Sequence, residues 1–133
     1  MYNDEIVDMI VRQHNAQKIA IKQLKINSIH KDIIRLKQEN RNIGDKVTNF
    51  YKHILHNRRK RTKLYVDGLG DLSYVYKDRI NRDLKTIEYL QKLQKHNSKL
   101  INKHRSKIKS LRSELQELKK ELNVLGDIKG EVK

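Results

Sequence analysis

The sequence predicts an all-α protein, a long antiparallel helical hairpin of the coiled-coil type. Three observations support it: the 133 residues include no Pro and only five Gly, two stretches repeat apolar residues with heptad spacing, and a turn signal separates those stretches. Pro and Gly interrupt helices most strongly, so their scarcity favours long helices. A large compact core is not expected, because Phe50 is the single Phe and Trp is absent.

The first heptad repeat lies in the N-terminal half of the chain. Eight of its nine a and d positions are apolar and the ninth is Asn, in the order Ile26, Ile29, Ile33, Leu36, Asn40, Ile43, Val47, Phe50 and Ile54. Such a repeat is typical of a helix that packs along another helix. We therefore predict a first helical arm over residues 4–57.

The second heptad repeat is longer and runs from Ile87 to Leu125. Nine of its twelve a and d positions are apolar, and the polar exceptions are Gln94, Asn97 and His104. This repeat predicts a second helical arm over residues 72–125. Gly126 follows it, so we expect a short tail at 126–133. The two arms and their connection form a single elongated helical domain in this interpretation.

The connection is predicted at residues 58–71. Two Gly and two Asp fall within Asp67–Asp71, which is a strong turn signal. Apolar and aromatic residues flank this signal at 64–66 and 72–76. A small β-turn or β-hairpin at the tip is therefore an alternative to a plain helical turn.

Polar residues inside the two repeats suggest how the arms pair. An antiparallel pairing with its turn at Gly68 sets Asn40 opposite Asn97 and Ile43 opposite Gln94. Asn40, Asn97 and Gln94 would then form a polar layer between the helices, in which buried amides satisfy each other's hydrogen bonds. The alternative is parallel self-pairing of two chains through Asn40, since an Asn at position a also specifies parallel dimers.

The N-terminal segment carries an apolar stripe in a different phase. It begins with the apolar residues Ile6, Val7, Ile10 and Val11, continues with the polar residues His14 and Gln17, and ends with the apolar residues Ile21 and Leu24. A stutter near residues 24–28 explains the change of phase. A bend, or a separate short first helix, explains it equally well.

Three further leucines widen the apolar stripe of the second arm at positions e and g: Leu84, Leu93 and Leu100. A two-helix coiled coil does not need them. Either the N-terminal segment covers these leucines, or they form an interface with a partner. We favour a homo-oligomer, in which two hairpins associate into a four-helix bundle.

Positive charge dominates the chain, which has 31 Lys and Arg against 16 Asp and Glu and a net charge of +15. No acidic residue lies between Asp45 and Asp67 or between Glu88 and Glu114. Such windows indicate an anionic partner, nucleic acid or a nucleoprotein complex, with an acidic protein surface as the alternative. The residues predicted to bind it are Arg58, Arg59, Lys60, Arg61, Lys63, Lys99, Lys103, Arg105, Lys107 and Lys109.

A spacing that resembles the basic-zipper pattern occurs in the second repeat, at Asn97, Arg105, Leu115 and Leu122. In that pattern the Asn and Arg read the DNA major groove. The chain departs from it at Leu100 and Ile101, where the pattern has small residues that face the bases. Because these two residues continue the apolar repeat, the sequence does not predict a basic zipper.

Enzyme chemistry has no support in the residue pattern. The chain has no Cys, and it shows no nucleophile–base set, glycine-rich phosphate loop or paired carboxylates. His53 and His56 lie three residues apart but lack a third ligand nearby, so no metal site is predicted. We expect a non-enzymatic protein without a cofactor.

The composition also suggests where the protein acts. No apolar run is long enough to cross a membrane, and the acidic start is unlike a signal peptide, so we expect a cytoplasmic protein, in the host cytoplasm if it is viral. The predicted function is a basic coiled-coil interaction protein that binds nucleic acid or a nucleoprotein complex. A small phage or mobile-element accessory protein or inhibitor fits this description. The alternative is a structural assembly protein (a scaffold, stalk or adaptor) that acts through helix–helix contacts.

Overall fold

A computed structural model describes residues 4–131 of the chain, with side chains over 4–123. Helix α1 spans Asp4–Val66, a 3-10 helix spans Gly70–Ser73, and helix α2 spans Tyr74–Glu131. The two long helices pack against each other, and the described residues contain no strand. The predicted all-α helical hairpin is thereby confirmed, and the alternative β-hairpin at the tip is wrong.

Helix α1 ends nine residues later than predicted, at Val66 instead of residue 57. The basic run after residue 57 contains no helix breaker, and the first residue that requires a special backbone conformation is Gly68. Gly68 has a φ of 77°, its N–H donates to the Tyr65 carbonyl, and the Leu69 N–H donates to the Leu64 carbonyl. This pair of hydrogen bonds is a Schellman motif, which satisfies the last carbonyls of α1 and stops it.

Helix α2 also exceeds its predicted end. It continues through Gly126 and Gly130 to Glu131, so the tail predicted at 126–133 is helical as far as the structure describes it. An isolated Gly in a helix costs only about 1 kcal/mol relative to Ala, and no Pro follows to enforce a stop. Leu125, the last position of the second repeat, lies outside the described side chains.

The chain divides into two compact units. Unit 1 comprises Met1–Ile34 with Asn102–Lys133, and unit 2 comprises Arg35–Ile101. In unit 2 one buried cluster consists of Ile43, Val47, Ile54, Ile80 and Ile87, with Phe50, Leu90 and Leu93 packed against it, and Leu36 and Ile101 are buried as well. In unit 1 the buried apolar residues are Ile26, Ile29, Ile33, Ile108, Leu111 and Leu115. All the buried residues of both lists hold a or d positions, so the predicted repeats are confirmed as the packing seam.

Two predictions for the N-terminal segment, a separate first helix and a stutter, are wrong, because α1 is continuous from Asp4 and its heptad phase does not change. Upstream of Ile26 the least exposed residues fall on the same a and d positions: Asp8, Arg12, Asn15, Ile19 and Lys22. There is therefore neither a separate first helix nor a stutter. The phase is set by the downstream repeat, so polar residues take the inner positions and the apolar stripe turns outward.

Candidate polyanion-binding surface

A polar layer sets the pairing of the helices in unit 2. The Asn97 side-chain amide donates to the Asn40 side-chain oxygen at 3.1 Å, and the Gln94 side-chain amide donates to the Asn40 backbone carbonyl at 3.0 Å. Asn97 is 4% exposed, so an unpaired amide there would be costly. These contacts bring together the three residues that the sequence singles out, and they position the basic residues farther along both helices.

The turn end of unit 2 carries a dense set of cations contributed by both helices. We call this set the turn-end surface; it consists of Lys52, Arg58, Arg59, Lys60, Arg61, Lys63, Lys77, Arg79, Arg82 and Lys85. Every member except Arg61 is exposed. The acidic residues of the same region are Asp67, Asp71, Asp78 and Asp83, so the positive charge predominates.

The cations of the turn-end surface are not neutralised by ion pairs. Among the described side chains, the ion pairs lie elsewhere, at Lys22–Glu114, Arg35–Glu39 and Lys92–Glu88. A helical surface that is stabilised by its own charges would instead show opposite charges three or four residues apart. The charge of the turn-end surface therefore remains available to an anionic ligand.

Arg61 differs from its basic neighbours in its surroundings. It occupies an a position that continues the first repeat, and its side chain is half-buried. The guanidinium carbon lies 5.8 Å from the ring centroid of Tyr65, within the range of a cation–π interaction. Of the five residues predicted at 58–63, the structure thus leaves Arg58, Arg59, Lys60 and Lys63 fully presented to a ligand.

Tyr65 links the end of α1 to the 3-10 helix. The Ser73 hydroxyl donates to the Tyr65 hydroxyl at 3.2 Å. Hydrogen bonds from Ser73 and then from Arg61, together with the Arg61 charge, lower the pKa of Tyr65 below its ordinary value of 10.0. A Cβ at Gly70 would lie 2.7 Å from the Tyr65 ring, so the ring packs directly on the connection.

A cleft of about 350 Å³ opens beside the basic run, between α1 and α2 of unit 2. It is lined by His53, His56, Asn57, Arg79, Arg82 and Asp83. Guanidinium, imidazole and amide groups all donate hydrogen bonds, and a fork of two arginines matches the oxygens of a phosphate. Asp83 is the acidic group of this lining, and it is half-buried.

The sequence prediction omits Arg79 and Arg82 for an identifiable reason. Both lie between Asp78 and Asp83, outside the windows that lack acidic residues. Once the antiparallel register is drawn, however, this stretch of α2 lies beside residues 52–59 of α1. The antiparallel register, rather than the charge pattern along the chain, identifies Arg79 and Arg82 as part of the surface.

The predicted cations of the middle of α2 are exposed as well. Lys99 belongs to unit 2, and Lys103, Arg105, Lys107 and Lys109 belong to unit 1. Within unit 1 these four occupy different heptad positions and spread around the exposed side of the helix. They contribute positive potential but do not converge on one point.

The leucines predicted as an oligomer or partner interface have unequal surroundings. Leu93 packs against the buried cluster of unit 2, and Leu100 is half-buried. Leu84 is 40% exposed. The chain itself therefore covers part of the surface that these leucines would offer to a partner.

Two kinds of site are absent from the described residues. No group of three or more His, Cys, Asp or Glu among them is arranged to hold a metal ion. No helix among them combines the length and the apolar character that a membrane span requires.

The fold and the surface together define the class of the protein as an all-α helical hairpin with a basic turn end. Comparisons with known proteins add no relative: no family model matches the chain, and neither the curated proteins nor the solved structures give a match.

Proposed function

We propose that the protein is a non-enzymatic polyanion-binding protein that binds the phosphate backbone of nucleic acid through its turn-end surface. The observation that carries this proposal is the concentration of exposed cations without ion pairs on both helices at the turn end of unit 2. Binding of such a surface to phosphates releases counterions, which supplies affinity without sequence specificity.

Aromatic residues beside the cations favour nucleic acid over an acidic protein as the ligand. Tyr65 and Tyr74 are 56% and 61% exposed; Tyr65 contacts Arg61, and Tyr74 precedes Lys77 by three residues on α2. Exposed aromatic rings next to a cationic groove stack on unpaired bases, and each stacked base contributes about 1–3 kcal/mol. Single-stranded nucleic acid is therefore the expected ligand.

Charge reversal tests the proposal directly. The triple variant Arg58→Glu, Arg59→Glu and Lys63→Glu is titrated against a labelled single-stranded oligonucleotide at about 50 mM salt, where phosphate contacts are strong. Because three phosphate contacts become repulsions, we expect affinity to fall by about a hundredfold or more, whatever the base sequence.

The matched control reverses three other exposed lysines, Lys31→Glu, Lys37→Glu and Lys120→Glu, and so changes the net charge equally. Its affinity is expected to fall much less, since these residues lie outside the turn-end surface. An equal loss in both variants would show that only total charge matters. An unchanged affinity in the turn-end variant, or binding of an acidic protein in preference to the oligonucleotide, would contradict the proposal.

A further inference from the structure

The outer face of α1 in unit 1 contains no charged residue over nineteen positions. Positions b, c and f of the heptad, which face away from the packing seam, are occupied by Ile6, Val7, Ile10, Gln13, His14, Gln17, Ala20, Ile21 and Leu24. All nine are exposed. We call this face the outer stripe. In a chain with 35% charged residues, such a face indicates a covered surface rather than a solvated one.

The same face becomes charged immediately beyond the outer stripe. From residue 27 to the end of α1, positions b, c and f include Lys31, Arg35, Arg41, Asp45, Lys52, Arg59 and Lys63. The absence of charge is therefore confined to Ile6–Leu24. Over this same segment the inner positions hold Asp8, Arg12 and Lys22, so the usual distribution of an amphipathic helix is reversed.

From these observations we infer that a second copy of this chain docks on the outer stripe, with the two α1 helices antiparallel. The order of residue types along the stripe is the same in both directions. Apolar residues at 6, 7 and 10 are followed by polar residues at 13, 14 and 17, and then by apolar residues at 20, 21 and 24. A two-fold interface must be complementary to itself, and antiparallel pairing places apolar on apolar and amide on amide.

Charges on the flank of the stripe select the same orientation. Asp4 stands at one end of this flank, and Lys18 and Lys25 stand toward the other end, all at position g and all exposed. Antiparallel pairing sets Asp4 of one copy beside Lys25 of the other. Parallel pairing would instead set this flank beside position e of the other copy, where Met9, Ala16 and Gln23 offer these charges no partner.

The exposed area suits a dimer. The large apolar residues of the stripe and its flanks are Ile6, Val7, Met9, Ile10, Val11, Ile21 and Leu24, and they are between 40% and 68% exposed. Together they expose on the order of 700 Å², close to the ~800 Å² that each partner buries in an interface of standard size. The stripe has no cation, so the polyanion of the turn-end surface is not its occupant.

Sedimentation velocity over a range of protein concentrations tests the inference. The full chain is expected to sediment as a dimer, and Ile10→Lys with Ile21→Lys is expected to weaken association by about a hundredfold or more, because each dimer then contains four buried lysines. The control, Leu55→Lys with Tyr89→Lys, adds the same charges at exposed apolar residues of unit 2 and should dimerise normally. A monomeric full chain, or a dimer that tolerates the first variant, would overturn the inference.

Disulfide cross-linking tests the orientation on an otherwise native chain, which has no Cys of its own. His14→Cys lies near the two-fold axis and should cross-link rapidly with itself. Leu24→Cys should cross-link with Ile6→Cys in a mixture but not with itself. Rapid self-cross-linking of Leu24→Cys would indicate a parallel pair and overturn the proposed orientation. If the chain is a monomer and binds phosphatidylcholine vesicles through the outer stripe, the occupant of the stripe is a lipid surface and the inferred second copy is wrong.

Discussion

At the scale of single residues, Asn97 illustrates how a polar side chain fixes helix pairing. Its amide is buried and donates to Asn40, while Gln94 donates to the backbone of the same Asn40. An apolar pair at this layer would bury more hydrocarbon but would allow the helices to slide by one heptad. The hydrogen bonds among these amides form only in the register that sets Asn97 and Gln94 beside Asn40.

Removing both partners should therefore cost less than the sum of the two single losses. Asn97→Leu leaves the side-chain oxygen of Asn40 without its donor, and we expect it to lower the free energy of unfolding by about 1–3 kcal/mol. The double variant Asn40→Leu with Asn97→Leu should lose less than the sum of the two single variants, because no buried amide is stranded. Urea unfolding of the four proteins measures this coupling. Additive losses would show that the polar layer does not act as a unit.

Glu114 provides a pH-dependent contact in unit 1. Its carboxylate accepts a hydrogen bond from the Lys22 ammonium, and this bond, followed by the Lys22 charge, lowers the pKa of Glu114 below its ordinary value of 4.5. A carboxyl group whose pKa falls on folding stabilises the native state above its unfolded pKa. That contribution disappears as the pH drops through the folded pKa.

Glu114→Gln should consequently lower the urea midpoint at pH 7 and leave it nearly unchanged at a pH below the folded pKa of Glu114, where the carboxylate is protonated. The contact is exposed to solvent, so the effect at pH 7 should also shrink in concentrated salt. An equal difference between the two proteins at both pH values would mean that Glu114 acts through packing and not through its charge.

At the scale of elements, the heptad seam carries the stability of the hairpin. Ile54 is 2% exposed and belongs to the core of unit 2, whereas its neighbour Leu55 is 50% exposed. We expect Ile54→Ala to lower the free energy of unfolding by about 2–5 kcal/mol, through lost burial and the cavity that remains. Leu55→Ala is the control and should stay within about 0.5 kcal/mol of the native chain. Similar losses in the two variants would contradict the assigned seam.

The same seam explains which elements the sequence predicts well. A heptad repeat with apolar a and d positions specifies both a helix and its packing face, so Ile26 through Ile54 are placed correctly. The sequence does not predict the inner positions of Asp8, Arg12 and Asn15, because hydrophobicity identifies an apolar face without indicating which neighbouring element covers it. Because α1 is continuous, the heptad phase of the downstream repeat extends into this segment, although its apolar residues follow a different phase. The end of α1 escapes prediction because a Schellman motif depends on the backbone at Gly68 rather than on the basic run before it.

At the scale of the whole molecule, the net charge of +15 is less informative than its distribution over the two units. In unit 2, the cations around the cleft of Arg79 and Arg82 lack ion pairs and lie beside exposed tyrosines. In unit 1, the outer stripe carries no charge at all. The proposed polyanion contact and the proposed self-association therefore use different residues, and variants of one surface leave the other intact.

The salt dependence of oligonucleotide binding tests the central claim most directly. The slope of log K against log salt reports the number of phosphates that the protein neutralises, about 0.7 per contact for a single strand. We predict a slope of about −4 for the native chain, since roughly six of the exposed cations would engage phosphates, and a slope smaller by about 2 for Arg58→Glu with Arg59→Glu and Lys63→Glu. A native slope near zero, or an identical slope in both proteins, would contradict the assignment of the turn-end surface as the polyanion-binding site.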